Sequence, residues 1–284
     1  MTAAEYIPTQ RPAGLSGLLH VLDDISTIAV AVSGGVDSMT LATLAHRAPG
    51  VSAEIFHAVS PAVPPEATRR VRRYAEFEGW TLRILDADEF GDPDYLRNPV
   101  DRCYFCKKNL YSAIAPLTTS TIVSGTNTDD LGEYRPGLGA ARDFRVRHPY
   151  VEAGFDKSGI RTLAADLGLD DIADLPAAPC LSSRIETGIP IAAETLAFVN
   201  RVETTLEERL SPRSVRCRVR AEGLVVELDQ PTLDRLSESE AADVSAIVSN
   251  IWAAANGERR QIPPVRLAPY RTGSAFLVAD ISIR

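Results

Sequence analysis

A chain of 284 residues, 45% hydrophobic and 24% charged, is long enough for a sizeable core and has the balance of a soluble globular protein. Its formal net charge of −8 argues against broad electrostatic binding of DNA or RNA, which needs a basic surface, but leaves room for a local basic pocket. No apolar run reaches the ~18 residues of a spanning helix, and Met1–Gln10 lacks the order of a signal peptide, so the expectation is a cytoplasmic protein with no nucleic-acid and no membrane partner.

The β-branched run 27–32 predicts a buried parallel strand. Gly34 and Gly35 follow, then a helical pattern from Val36 to about His46. A second strand fits 52–59, and prolines 61, 64 and 65 open a basic helix ending near Gly79. Strands at 81–86 and 121–124 flank a helix of about 102–115, and Asp156 and Gly168 bracket a helix over 157–167. This alternation predicts an α/β fold with a doubly wound parallel sheet over residues 1–178. After the Pro/Ser/Gly-rich segment 176–190 the pattern changes. A helix of about 192–210, strands at 214–220 and 224–228, a helix of about 231–255 and a strand at 275–282 predict a smaller C-terminal α+β domain over 179–284.

Ala31-Val32-Ser33-Gly34-Gly35-Val36-Asp37-Ser38 stands where a strand turns into a helix. Two glycines let the backbone turn tightly and aim N–H groups at an anion, and the helix N-terminus adds its positive end. Ser33 and Ser38 can donate to phosphate oxygens, and Asp37 can hold Mg²⁺ or position the loop. The lysine of an ordinary P-loop is missing. The competing reading is a Gly-rich turn with no ligand. The run Ser33–Ser38 resembles the PP-loop of the N-type ATP pyrophosphatases. That resemblance covers about 27–170 and implies ATP as cosubstrate, pyrophosphate release and an adenylated intermediate. It implies Ala31 and Ser60 near the adenine, Gly125-Thr126-Asn127 as a second wall, and Lys157 at the phosphates; a surface lysine is the alternative there.

Of the four cysteines, Cys103 and Cys106 are three apart, which puts both on one helix face, and Arg102, Lys107 and Lys108 favour thiolate. Cys180 lies in Pro179-Cys180-Leu181-Ser182-Ser183-Arg184. Cys217 alternates with arginines and reads as a core residue. Ordinary buried thiols, a structural zinc and an iron–sulfur cluster on Cys103, Cys106 and Cys180 all compete; zinc wants a fourth ligand, whereas a three-thiolate cluster leaves one iron open.

Four runs follow in order: Asn98-Pro99-Val100-Asp101-Arg102-Cys103-Tyr104-Phe105-Cys106-Lys107, Gly125-Thr126-Asn127-Thr128-Asp129-Asp130, Tyr134-Arg135-Pro136-Gly137, and Pro176 to Arg184. Together they resemble the LarE family of ATP-dependent sulfur transferases over nearly the whole chain, weakening after about residue 220. The resemblance implies a homo-oligomer acting on a small-molecule nucleotide, pyridinium-3,5-biscarboxylic acid mononucleotide, whose carboxylates are adenylated and converted to thiocarboxylates on the way to the nickel-pincer nucleotide cofactor. It implies sulfur either from Cys180, left as dehydroalanine, or from a [4Fe-4S] cluster on Cys103, Cys106 and Cys180; the presence of all three cysteines favours the cluster.

An anionic substrate needs cations. Arg216, Arg218 and Arg220 share one strand face, Arg184 adjoins Cys180, and Arg271 stands in Tyr270-Arg271-Thr272-Gly273-Ser274, which resembles a C-terminal run of the family. A solvated basic strand is the bland alternative, and Glu222 and Glu227 read equally as surface charges or active-site acids. The chain departs from the family at Leu175, Thr187-Gly188, Ala221 and Leu267-Ala268-Pro269, which cluster in the substrate half. Rival readings are a tRNA thiolase, disfavoured by the acidic charge, an amidating synthetase, for which no glutaminase domain stands in the sequence, and a nucleotide-binding sensor without turnover.

Overall fold

The computed structural model describes residues 14–132, 134–176, 179–256 and 263–276. The chain divides into two compact units, one of residues 1–91 and 103–178, the other of 92–102 and 179–284. In the first unit, β1 (Thr27–Ala31), β2 (Ser52–Ala58), β3 (Thr81–Leu85) and β4 (Thr121–Ser124) form an all-parallel sheet in the order β3-β2-β1-β4. The chain therefore winds outward from β1 through β2 to β3, then crosses back to lay β4 on the other side of β1. Such a reversal of strand order opens a crevice at the carboxyl edge, where ligands of open α/β sheets bind.

Period-two alternation along the strands builds a core on each face. Ile28, Val30, Ile55 and Val123 point into one, shared with Met39 and Leu41 of helix Val36–Arg47, Val71 of helix Pro65–Glu78 and Ile160 of helix Lys157–Asp166. Ala29, Ala31, Phe56 and Ile122 point into the other, against Tyr111 and Ile114 of helix Arg102–Ile114 and Ala140 of helix Gly137–Asp143. Both faces are covered, which is why these strands read as continuous apolar runs. Local signals end the helices as the sequence suggests: Gly79 takes the left-handed conformation after Glu78, and Asp156 accepts from Gly159 N at 2.7 Å to cap helix Lys157–Asp166.

The second unit holds a mixed sheet of β5 (Val215–Arg220), β6 (Gly223–Leu228) and β7 (Val265–Pro269), with β5 antiparallel and β7 parallel to β6. Helices Ala193–Leu210 and Glu238–Asn256 pack together, Phe198 meeting Trp252 edge to face with ring centroids 5.1 Å apart. Segment 92–102 belongs to this unit: Asn98, fully buried, donates from Nδ2 to Glu186 O at 2.8 Å and Ile189 O at 2.9 Å, and Tyr95 Oη lies 2.6 Å from Ser182 Oγ.

One expectation changes here, one falls outside the described residues, and one element is new. The helix read over 231–255 is two, Gln230–Arg235 and Glu238–Asn256, because Ser237 and Glu240 cap the second reciprocally: Ser237 N donates to Glu240 Oε2 at 2.9 Å, and Glu240 N to Ser237 Oγ at 3.3 Å. The third strand is Val265–Pro269, and the strand expected at 275–282 lies, beyond Phe276, outside the described residues. Helix Gly14–Ile25, not anticipated, buries Leu18 and Leu22 against the first core. Among the described residues no helix is long and apolar enough to cross a membrane.

Candidate functional site

The carboxyl edge of the parallel sheet gathers most of the residues expected at a nucleotide. Ala31 ends β1 and pairs with Ser124 at the end of β4, so loop Ser33–Ser38 and the Gly125-Thr126 turn leave the sheet side by side at the strand-order reversal. Ser60 stands just past β2, where its Oγ accepts from Ala62 N at 3.2 Å.

The loop is closed on itself. Ser33 N donates to Ser38 Oγ at 3.1 Å, Ser38 Oγ donates to Gly35 O at 3.2 Å, and the two serine hydroxyls lie 3.2 Å apart. Ser38 is thus spent on shaping the loop, while Ser33 stays exposed. Gly35 N donates to Ser33 Oγ at 3.4 Å, and Gly35 caps helix Val36–Arg47 without a side-chain acceptor, so the first-turn amides are left for a partner outside the helix, the arrangement that receives anions. Both walls require glycine. A Cβ on Gly34, whose φ is +83°, would stand 2.9 Å from Ala67 O; a Cβ on Gly125 would stand 2.8 Å from Ser38 N.

Charge is arranged around Asp37. Lys157 Nζ donates to Asp37 Oδ2 at 2.6 Å, and Lys157 N donates to Asp129 Oδ2 at 3.0 Å, which ties that helix start to the loop after β4. Asp37 Oδ1 is buried without a hydrogen-bond partner. A buried carboxylate oxygen left without a donor costs free energy unless something else meets it, and a hard cation such as Mg²⁺ fits it by charge and by ligand chemistry. Asn127 is buried and orders its own turn, accepting from Asp129 N at 3.0 Å.

Two supports escape sequence reading. His57 on β2 is buried, with Nδ1 2.9 Å from Val32 O and Nε2 2.9 Å from Thr68 Oγ1. A carbonyl only accepts, so Nδ1 carries the proton and Nε2 accepts from the threonine; burial lowers the pKa and keeps the ring neutral. Arg70 on helix Pro65–Glu78 donates to Gly34 O at 2.9 Å. Beside the second wall, Thr126 Oγ1 is 3.0 Å from Ser124 Oγ, which is 2.9 Å from His148 Nδ1; burial drives the His148 pKa down to about 4.

In the second unit the basic residues are not a solvated strand. Arg184 is buried and donates to both Glu203 oxygens at 3.0 and 2.7 Å and to Pro179 O at 2.6 Å. Burial opposes its charge, but the bonds and charge of Glu203 outweigh that and raise its pKa. Arg218 is equally buried against Glu227, at 2.9 Å, so Glu227 is no solvated surface charge, whereas Glu222 is exposed and pairs with Arg266 at 3.1 Å. Arg216 lies over the Tyr270 ring at 5.7 Å, its pKa lowered by burial and by Arg184. Arg220 pairs with Glu186 and Glu227 and, with the exposed Arg271, lines an open cavity of about 480 Å³ beside Arg266 and Ser274.

Cys103 and Cys106 are half-buried on helix Arg102–Ile114 of the first unit, and Cys180, also half-buried, belongs to the second. Within neither unit do the described residues bring three Cys, His, Asp or Glu side chains together as a metal site. Gly137 explains the Tyr134–Gly137 run, because a Cβ there would stand 3.1 Å from Lys107 Cγ and 3.4 Å from Cys103 O. Cys217 is fully buried, as its alternation suggested, and burial pushes its thiol pKa far up.

No protein-family model matches the chain. It is 36% identical to the uncharacterized protein slr1717 of Synechocystis sp. over 221 residues, 76% of this chain and 81% of that one. It is 25% identical to the uncharacterized protein MJ0830 of Methanocaldococcus jannaschii over 217 residues, 75% of this chain and 82% of that one. It is 29% identical over 220 residues, 75% of this chain and 78% of the relative, to the pyridinium-3,5-bisthiocarboxylic acid mononucleotide synthase of Lactiplantibacillus plantarum.

Proposed function

We propose that this chain, which belongs to the family of the Synechocystis relative, is an ATP-dependent sulfur transferase of the LarE type that makes a thiocarboxylate from pyridinium-3,5-biscarboxylic acid mononucleotide. The name of the Lactiplantibacillus plantarum relative supports the product class. The observation that carries the nucleotide half is the cradle at the strand-order reversal: a helix start at Gly35 that no side chain caps, Lys157 beside Asp37, and an Asp37 oxygen lacking a donor.

A carboxylate oxygen of the substrate attacks the α-phosphorus of ATP. The bond from that phosphorus to the bridging oxygen breaks, and pyrophosphate leaves with the electron pair. The loop amides and Lys157 offset the charge that gathers on the leaving group, in place before the reaction and so without reorganisation. Mg²⁺ held through Asp37 would neutralise phosphate charge. A sulfur nucleophile then attacks the acyl carbon and AMP departs; thiolate outcompetes water because it is far more nucleophilic near neutral pH. Cys180 would deliver the sulfur if the polypeptide itself is the donor. Three thiolates, Cys103, Cys106 and Cys180, suit a [4Fe-4S] cluster by donor chemistry, and such a group would bind an additional sulfide, taken from an external sulfide source at each turnover, and deliver it without consuming the polypeptide.

The test is to supply ATP and the biscarboxylate and follow AMP, pyrophosphate and thiocarboxylate together. A protein that makes none of them, or only holds nucleotide as a sensor would, sinks the reading. Mass spectrometry after turnover separates the sulfur sources: loss of one H₂S at Cys180 marks sacrifice, and an unchanged chain with bound iron marks a cluster.

A further inference from the structure

Helix Pro65–Glu78 carries arginines at 69, 70, 72 and 73, and their partners differ. Arg69 is held by Glu66, with Nη2 to Oε2 at 2.5 Å, and Arg73 is held by Asp171. Arg70 meets no carboxylate among the described residues; it donates from Nη1 to the carbonyl of Gly34, inside the loop, at 2.9 Å. One contact leaves the rest of a five-donor fork unused. The carbonyl fixes where the guanidinium sits, because the first turn of the same helix presses on Gly34, with Ala67 O 2.9 Å from where a Cβ would be.

We propose that Arg70 is a catalytic residue that grips the β- and γ-phosphates and stabilises the pyrophosphate leaving group. This rests on the ATP reading above. The charge arithmetic favours it. Lys157 is already paired with Asp37, so these two side chains together add little net positive charge beyond the loop amides and a cation held by Asp37, against a strongly anionic triphosphate tail. Arg70 adds one uncompensated cation on the loop, and the chain lacks the lysine with which an ordinary P-loop meets those phosphates. A guanidinium forms two parallel bonds to phosphate oxygens, and it does so most strongly as the α-phosphorus–oxygen bond breaks and charge moves onto the departing group.

The experiment is calorimetric titration of the full chain with ATP, pyrophosphate and AMP, separately, for the wild type, Arg70→Gln and Arg70→Ala. Glutamine removes the charge but keeps an N–H for Gly34 O. In both variants pyrophosphate should bind at least tenfold more weakly, with AMP affinity within about twofold of wild type, and kcat for AMP formation should fall with the pyrophosphate affinity. Unchanged pyrophosphate affinity in Arg70→Gln would overturn the proposal alone. So would an equal loss of AMP and pyrophosphate in that variant, which would make Arg70 only a prop for the loop. A wild type that binds neither ATP nor pyrophosphate would overturn the parent reading and this one with it.

Discussion

Lys157 Nζ stands 2.6 Å from Asp37 Oδ2, while Asp37 Oδ1, buried, meets no hydrogen-bond donor. The two residues are 120 apart in sequence, and the start of one helix is thereby tied to the first turn of another. The pair is half-exposed, so as a structural salt bridge it contributes little, no more than about 1 kcal/mol. Asp37→Asn should therefore leave the thermal midpoint nearly unchanged and cut pyrophosphate release by about 100-fold, because the variant loses its anionic oxygen for a cation and its hold on Lys157. An unaltered rate would detach Asp37 from the chemistry.

Gly125→Ala should damage the same site by a steric route. The new Cβ would meet Ser38 N at 2.8 Å and Asp37 C at 2.9 Å, both backbone atoms that cannot rotate away. The helix start must shift, at a cost of about 1–3 kcal/mol, and nucleotide affinity should fall with it. Urea unfolding and ATP titration measure the two effects; full affinity in a stable variant would mean that the wall can move freely.

These two residues were legible because their signals are local. A β-branched strand, two glycines and a helix start identify the loop, and a glycine directly after a short apolar strand identifies the wall. What could not be read came from partners distant in sequence. His57 and Arg70 act on loop atoms 25 and 36 residues before them. The arginines of β5 read as one face, open to an anionic substrate or to solvent, but Arg218 finds Glu227 on the neighbouring strand and Arg184 finds Glu203 on helix Ala193–Leu210, so the sheet buries much of its charged face. Period-two alternation gives sidedness, not exposure. The Ser237–Glu240 capping box, by contrast, was printed in the sequence and marks the helix break that periodicity alone ran through.

That buried pairing makes the second unit sensitive to Glu203. Its Oε1 accepts from Arg184 Nε at 3.0 Å and from the Cys217 amide at 2.8 Å. Glu203→Ala strands a buried guanidinium and a strand N–H at once, which should cost about 3–5 kcal/mol. Fluorescence of Trp252, in the same unit, follows unfolding in urea. A loss under about 1 kcal/mol would mean that water reaches Arg184.

His148 gives the fold an acid limit. Its pKa lies at about 4 against the ordinary 6.5, chiefly from burial, with Lys107 pushing the same way and Glu152 opposing. Between those values the unfolded chain binds the proton and the folded one does not, so stability falls as pH drops from about 6.5 towards 4, by up to about 3 kcal/mol from this residue. Buried His57 shifts in the same direction, so the wild-type slope contains both. His148→Gln cannot titrate, and the difference in unfolding free energy between wild type and variant should shrink as pH falls through this window. Ser124 Oγ lies 2.9 Å from His148 Nδ1 and 3.0 Å from Thr126 Oγ1, so a ring that gains a proton becomes a donor at both nitrogens and reorders the hydroxyls behind the nucleotide wall, and ATP affinity should change over the same range in the wild type and stay flat in the variant. Parallel pH curves for the two proteins would show that His148 carries no proton linkage.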